Sequence, residues 1–95
     1  MIHVMARVVF QPESAAVGRE LLSALVAESR REEGCASYEL FQQIGVPHGF
    51  QTVEQWVDQD AIDGHMKSAH VRQAIAAAMP MLAGAPEIVR FERIV

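Results

Sequence analysis

Residues 50–70 read FQTVEQWVDQDAIDGHMKSAH, and this stretch decides the fold because its periodicity changes midway. The first half alternates as a β-strand does, with Glu54 and Trp56 on one face. Asp58 is a suitable N-cap for a helix over residues 59–67. The segment therefore predicts a strand, a sharp turn and a helix, and it brings a carboxylate, an indole and an imidazole close together along the chain.

The flanking sequence predicts three further strands and two further helical segments. Gly34 is expected to end the first helix in a left-handed conformation, and residues 45–49 to form a hairpin turn. The apolar face of that helix is predicted to contain Val17, Leu21, Leu22, Leu25 and Val26. The predicted strands cover Ile2–Phe10, Cys35–Ile44, Phe50–Val57 and Glu87–Val95, and the predicted helices cover Glu13–Glu33, Gln59–Lys67 and a segment after Ser68.

The resulting order, βαββααβ, is that of an α+β, ferredoxin-like domain with an antiparallel sheet. A chain of 95 residues makes one such domain, residues 1–95. The last strand carries Val89 and Phe91 on one face and Ile88 on the other, so both faces of the sheet are partly apolar. Because helices cover only one face, we expect a homodimer to cover the other.

Charge and composition exclude several classes of partner. The net charge is −4, with 8 Lys and Arg against 12 Asp and Glu, and the basic residues are scattered. Neither a nucleic acid nor an anionic membrane surface is therefore an expected partner. No leader-like segment is visible at the start, and the apolar runs are too short to span a bilayer. The single cysteine, Cys35, fits a reducing cytoplasm, which is the expected location.

Strand three carries a carboxylate among aromatic and small polar side chains, since Phe50, Thr52, Glu54 and Trp56 share one face. A buried carboxylate is costly unless it has a partner. Two interpretations of Glu54 remain open: a structural salt bridge, or a group that orients a histidine or binds a substrate hydroxyl. Trp56 fits both a core position and the wall of a pocket. The candidate salt-bridge partners of Glu54 are Arg7, Arg90 and Arg93.

Two histidines follow this strand. His65 lies one turn after Ala61 and Ile62, which mark the inward face of the predicted helix, so its imidazole is expected to point into a pocket. There it can take and return a proton near neutral pH, or it can simply pack and make one hydrogen bond. His70 comes five residues later and need not share that face; we expect a helix-start or packing role and keep it as a secondary substrate-binding candidate.

The remaining polar candidates carry weaker signals. Tyr38 can donate a hydrogen bond to a substrate oxygen or can be a buried, satisfied tyrosine. Cys35 is expected to act as a small buried residue. No metal site is expected, because His65 and His70 do not share a face by spacing and no His-x-x-x-His motif is present. No glycine-rich phosphate loop follows any strand.

Four segments carry a resemblance to a known family. They are EGCASYELFQ at residues 33–42, FQTVEQW at 50–56, the pattern D-x-x-A-I-x-x-H at 58–65, and S-A-H at 68–70. Together they resemble the antibiotic biosynthesis monooxygenase family, which includes the quinol and anthrone monooxygenases. The resemblance implies a ferredoxin-like protomer, a dimer whose sheets close into an α+β barrel, and a pocket between sheet and helices.

The resemblance also implies a chemistry, namely cofactor-free oxygenation of electron-rich aromatics by O2, although other members are isomerases or degrade haem. Thr52 stands where anthrone-type members commonly carry asparagine, which argues against anthrone as the substrate. Ile75 stands where haem-degrading members carry the iron-ligating histidine, so haem is not expected.

The sequence thus predicts a dimeric, cofactor-independent monooxygenase for a small hydroquinone or polyphenol. His65 is the predicted base, and Glu54 orients it or binds a substrate hydroxyl. The alternatives are an isomerase or cyclase that uses the same two residues as an acid–base pair, and a non-catalytic dimer that binds a small molecule. The predicted substrate-binding residues are Trp56, Thr52, Phe50, Tyr38 and His70.

Overall fold

The strands and helices follow one another in the predicted order βαββααβ in a computed structural model, which describes all of residues 1–95. Short 3-10 turns at Pro12–Ser14 and Met79–Met81 flank the first and last helices. The elements are β1 Ile2–Val9, α1 Ala15–Ser29, β2 Cys35–Gln43, β3 Val46–Trp56, α2 Gln59–Lys67, α3 Ala69–Ala78 and β4 Glu87–Phe91.

The four strands form one antiparallel sheet in the order β2-β3-β1-β4, which confirms the ferredoxin-like α+β fold. Its register aligns the site-bearing residues in rows across the strands. Tyr38, Glu54 and Val4 stand opposite one another, and all three are buried on the side that the helices cover. The sheet therefore places the carboxylate of Glu54 under the helical layer.

Two apolar clusters hold the helices on this face. One cluster surrounds Trp56 and Tyr38 and includes Val26 of α1 and Ile62 of α2. The other surrounds Phe10 and Phe50, whose rings meet edge to face with centroids 5.8 Å apart. Full burial of each large aromatic side chain contributes about 1.5–3 kcal/mol, so these clusters are the main attachment of the helices to the sheet.

The first helix differs from its prediction at both ends and in its buried face. It ends at Ser29 rather than Glu33, and residues 30–34 form a loop, hereafter the α1–β2 loop. Gly34 does not adopt a left-handed conformation; a Cβ there would lie 2.4 Å from the Cβ of Ala61, so its small size permits close contact with α2. Val17 is exposed, and the buried face runs through Gly18, Leu22, Val26 and Ser29.

The hairpin and the last strand also differ from their predictions. The turn is only Ile44 and Gly45, because the positive φ of 82° at Gly45 allows a tight reversal. Strand β3 therefore starts at Val46, and a register shift between Gln42 and Gln43 absorbs the irregular pairing. Strand β4 stops at Phe91 because its partner strand β1 begins just beyond the paired residue His3.

None of the helices combines the length and the apolar character that crossing a membrane requires.

Candidate active site

His65 lies in the last turn of α2 with its imidazole enclosed, since the residue is only 5% exposed. Its ring packs against the indole of Trp56 with centroids 4.5 Å apart, and the ring of Tyr38 lies 5.9 Å away. Asp58 caps the N-terminus of α2 by accepting a 2.8 Å hydrogen bond from the Ala61 amide, which fixes the helix relative to β3. The predicted inward orientation of His65 is thus confirmed.

The carboxylate that contacts His65 is Glu32 of the α1–β2 loop. Its Oε2 lies 2.6 Å from Nδ1 of His65, and the tautomer with hydrogen on Nδ1 satisfies this bond. The opposite nitrogen, Nε2, makes no hydrogen bond within the chain, and it is not completely sealed from solvent. A carboxylate on one side of an imidazole and a free lone pair on the other is the arrangement of a general base.

His70 meets the same carboxylate. The helix breaks at Ser68, whose backbone is extended with ψ of 152°, so the two histidines stand on two different helices. Nε2 of His70 lies 3.0 Å from Glu32 Oε2, and the two imidazole centroids are 6.0 Å apart. His70 stands at the start of α3, as expected, and the two histidines share no helix face. They nevertheless meet at one carboxylate, which their spacing did not predict, and the three ligand atoms lie within 4.8 Å of one another.

Glu54 is buried, at 3% exposure, but it makes no hydrogen bond with His65. Its Oε1 accepts a 2.9 Å hydrogen bond from Nε1 of Trp56, and its Oε2 accepts a 2.6 Å bond from the Thr52 hydroxyl. No arginine pairs with it, so of the two open interpretations the structural salt bridge is absent. Glu54 thus holds the Trp56 indole in place, while direct orientation of the histidine falls to Glu32; the catalytic role of Glu54 stays a prediction.

Thr52 links this group to the neighbouring strand, because its hydroxyl oxygen accepts a 3.0 Å hydrogen bond from the amide of Ala6 in β1. Tyr38 completes the aromatic group by meeting the indole of Trp56 edge to face, with centroids 6.3 Å apart. Burial, followed by the nearby Glu54 carboxylate, raises the pKa of Tyr38 well above its ordinary value of 10.0. The phenol therefore stays protonated at neutral pH, so it can donate a hydrogen bond and does not act as a base.

Phe50 is remote from this group and belongs to the Phe10 cluster. It lines a surface cavity of about 310 Å³ under α1, whose polar lining includes Arg19, Ser23 and Arg30. Cavities of about 270 and 220 Å³ lie elsewhere, the former beside Tyr38. None of these three cavities is lined by His65, Glu54 or Trp56.

Glu32 was missed because its contact with His65 spans 33 positions of sequence. One signal was present: the predicted helix placed Glu32 near its C-terminus, where the helix dipole disfavours a carboxylate. An unfavourable charge at that place indicates a tertiary partner, and the two imidazoles are that partner.

Comparison with known sequences gives the family. The sequence profile described as antibiotic biosynthesis monooxygenase matches residues 1–77 of the chain. The chain belongs to the antibiotic biosynthesis monooxygenase family. Within this family, the Bacillus subtilis (strain 168) protein named "Putative monooxygenase YcnE" is 33% identical over 92 residues, which is 97% of each chain. The resemblance found in the sequence is thereby confirmed.

Solved structures agree with this assignment to the antibiotic biosynthesis monooxygenase family. A crystal structure described as an antibiotic biosynthesis monooxygenase is 25% identical, covers all of both chains and superposes with a TM-score of 0.95. PA3566 from Pseudomonas aeruginosa is 30% identical over 99% of this chain and 94% of its own, with a TM-score of 0.93. The named relatives point to monooxygenase chemistry and leave the substrate open.

Proposed function

We propose that the protein is a cofactor-independent monooxygenase that oxidises a small hydroquinone or polyphenol with O2. The observation that carries the proposal is the buried imidazole of His65, held between the indole of Trp56 and the carboxylate of Glu32 with Nε2 left free. Family membership supports the oxygenase class, and the imidazole supports proton abstraction as the step that the chain performs.

The proposed reaction begins when Nε2 of His65 removes a phenolic proton from the substrate. Glu32 favours this step because its negative charge, 2.6 Å from Nδ1, stabilises the imidazolium that forms. The resulting phenolate is a far better reductant toward O2 than the phenol. In a monooxygenation of this kind the substrate supplies all the electrons: one oxygen atom enters the product and the other leaves as water.

Trp56 and Tyr38 are proposed to contact the aromatic ring of the substrate. The two rings meet at 89° beside the imidazole, which gives an apolar corner next to the base. Exclusion of water from such a corner strengthens the charge interactions inside it. Glu54 and Thr52 support this corner through the indole hydrogen bond, and binding of a substrate hydroxyl by Glu54 remains part of the proposal.

A homodimer is part of the same proposal. The sheet face opposite the helices exposes apolar side chains, with Met5 and Val89 beside the half-buried Val53 in one row of the register and Phe91 in the next. An apolar surface of this kind on a small domain favours association with a second copy. The cytoplasm is the proposed location, supported by the unpaired thiol of Cys35.

Oxygen uptake tests the proposed reaction. Metal-free protein mixed with a panel of reduced quinones is expected to consume O2 faster than buffer alone. His65→Gln should lower that rate by about 10²–10⁴-fold, the usual contribution of a general base, and His48→Gln in β3 serves as the matched control. Lack of enhancement with every substrate would contradict the oxygenase class. Turnover without O2 uptake would identify an acid–base isomerase instead.

Molar mass tests the dimer. Phe91→Asp places a charge in the exposed apolar face and should shift the protein from dimer to monomer in light scattering. Ile94→Asp, which is equally apolar but 93% exposed and outside the sheet, should leave the mass unchanged. A monomeric wild-type protein, or a dimer indifferent to both changes, would contradict this part of the proposal.

A further inference from the structure

Three separate elements bring ligand atoms to one point at the edge of the helical layer. Glu32 comes from the α1–β2 loop, His65 from α2 and His70 from α3, and their ligand atoms lie within 4.8 Å of one another. We propose that these three residues form a binding site for a divalent transition-metal ion of the zinc type. This proposal goes beyond the oxygenase reaction, and its test does not require a substrate.

The donor set matches that chemistry. Two imidazole nitrogens and one carboxylate oxygen suit Zn²⁺, Co²⁺ and their neighbours, with a further position open to water. At zinc bond lengths of about 2.0–2.1 Å, tetrahedral ligand atoms lie about 3.3 Å apart. The carboxylate oxygen lies 2.6 Å from one nitrogen and 3.0 Å from the other, and the two nitrogens lie within 4.8 Å of each other. To hold the ion, the oxygen must move outward by less than about 1 Å and the two nitrogens must approach each other by up to about 1.5 Å.

The surroundings of the carboxylate favour a cation. Of the two arginines next to it in sequence, Arg30 donates a hydrogen bond to the Tyr38 carbonyl and Arg31 pairs with Glu28. No lysine or arginine therefore neutralises Glu32. Its side chain is 20% exposed and that of His70 is 24% exposed, while that of His65 is 7% exposed, so an ion can enter from the side of Glu32 and His70.

Metal binding has a consequence for His65, because the same imidazole is the base of the proposed reaction. Coordination requires the lone pair of Nδ1 on His65, so the proton of the neutral ring moves from Nδ1 to Nε2. The loaded site then lacks the free lone pair on Nε2 that the proposed oxygenase reaction uses. Metal occupancy and base action are thus mutually exclusive, and an added divalent ion is expected to inhibit that reaction.

Cobalt titration tests the site. Untagged, EDTA-stripped protein is titrated with Co²⁺ and followed by visible d–d absorption and by fluorescence of Trp56, which is the sole tryptophan. One Co²⁺ per chain is expected, with quenching of Trp56 and without thiolate charge-transfer absorption from Cys35. Glu32→Gln and His70→Ala should each weaken binding by more than about 100-fold, since loss of an outer-shell partner alone costs about 10- to 100-fold.

The other two histidines of the chain provide the control. The double variant His3→Ala/His48→Ala should bind Co²⁺ as the wild type does. Imidazole ¹⁵N NMR of the wild type with Zn²⁺ avoids any folding defect of a variant, and it should shift only the signals of His65 and His70. Absence of saturable binding, binding lost in the His3/His48 variant, or unchanged signals of His65 and His70 would each overturn the proposal.

Discussion

Two carboxylates contact the packed rings of Trp56 and His65, Glu54 through the indole and Glu32 through the imidazole. They differ in where they lie and in the groups that bind them. Glu54 sits in the middle of the sheet and accepts hydrogen bonds from two neutral donors, each two residues away on its own strand. Glu32 sits in a loop and accepts from imidazoles on two helices. The partners of Glu54 are a hydroxyl and an indole N–H, whereas both partners of Glu32 are imidazoles.

This difference indicates different roles for the carboxylates of Glu54 and Glu32. Because its donors are fixed in protonation, Glu54 acts as an anchor that sets the position of the indole. Glu32 contacts two imidazoles, so in the proposed reaction it is the carboxylate placed to stabilise the charge that develops on His65. The contrast teaches that burial alone is a poor guide to function here, since the less buried carboxylate is the one that contacts the imidazoles.

Removal of the two carboxylates should therefore affect stability unequally, and this is the largest expected effect. Glu54→Ala leaves the indole N–H and the Thr52 hydroxyl without their acceptor and leaves a cavity, so we expect a loss of about 2–5 kcal/mol in the free energy of unfolding. Glu32→Ala removes a part-exposed side chain and should cost less than about 1.5 kcal/mol. Urea unfolding followed by far-UV circular dichroism measures both.

Glu39→Ala is the matched control, because Glu39 is an exposed carboxylate on β2 and its removal should change stability by less than about 0.5 kcal/mol. If Glu32→Ala destabilised the protein as strongly as Glu54→Ala, the division between anchor and chemical group would be wrong.

A second, smaller effect concerns the distance between the α1–β2 loop and α2. Gly34 holds the loop close to Ala61, and the amide of Val57 donates a 3.0 Å hydrogen bond to the Gly34 carbonyl. Gly34→Ala should cost about 1–3 kcal/mol through overpacking and should weaken the contact between Glu32 and His65. Thermal unfolding measures the cost, and Gly34→Ala/Ala61→Gly should recover part of it.

Gly64 supplies the control for this change, since a Cβ there meets nothing within 4 Å. Gly64→Ala in α2 should raise stability by about 0.4–1 kcal/mol. If Gly34→Ala were equally stabilising, close packing of the loop would not be what positions Glu32.

The sequence was informative wherever local periodicity carried the information. Strand alternation placed Glu54 and Trp56 on the buried face, and helix spacing turned His65 inward, because both follow from backbone geometry. The pairing of Glu32 with His65 and His70 depends on how a loop meets two helices, which no local period records. The tight turn at Gly45 was misplaced because Pro47 and Gly49 resembled turn residues, although a β-bulge accommodates them.

The smallest expected effect comes from Tyr38, the only tyrosine of the chain. Burial and the Glu54 carboxylate raise the pKa of Tyr38 above its ordinary value of 10.0, so the unfolded chain loses the phenolic proton at a lower pH than the folded chain. Stability from this group is complete below pH 10 and declines as the pH rises further, by less than about 1 kcal/mol at roughly pH 10.5.

Absorbance at about 295 nm follows the ionisation of Tyr38 alone, and the folded protein should show no phenolate signal until well above the ordinary pKa. Tyr38→Phe has no proton to lose, so its stability should fall less steeply than that of the wild type above pH 10. Glu54→Gln removes the neighbouring charge and should lower the pKa of Tyr38 toward 10.0. A Tyr38 that titrates near 10.0 in the folded wild type would show that Glu54 and Tyr38 do not share the enclosed environment on which the anchor role of Glu54 depends.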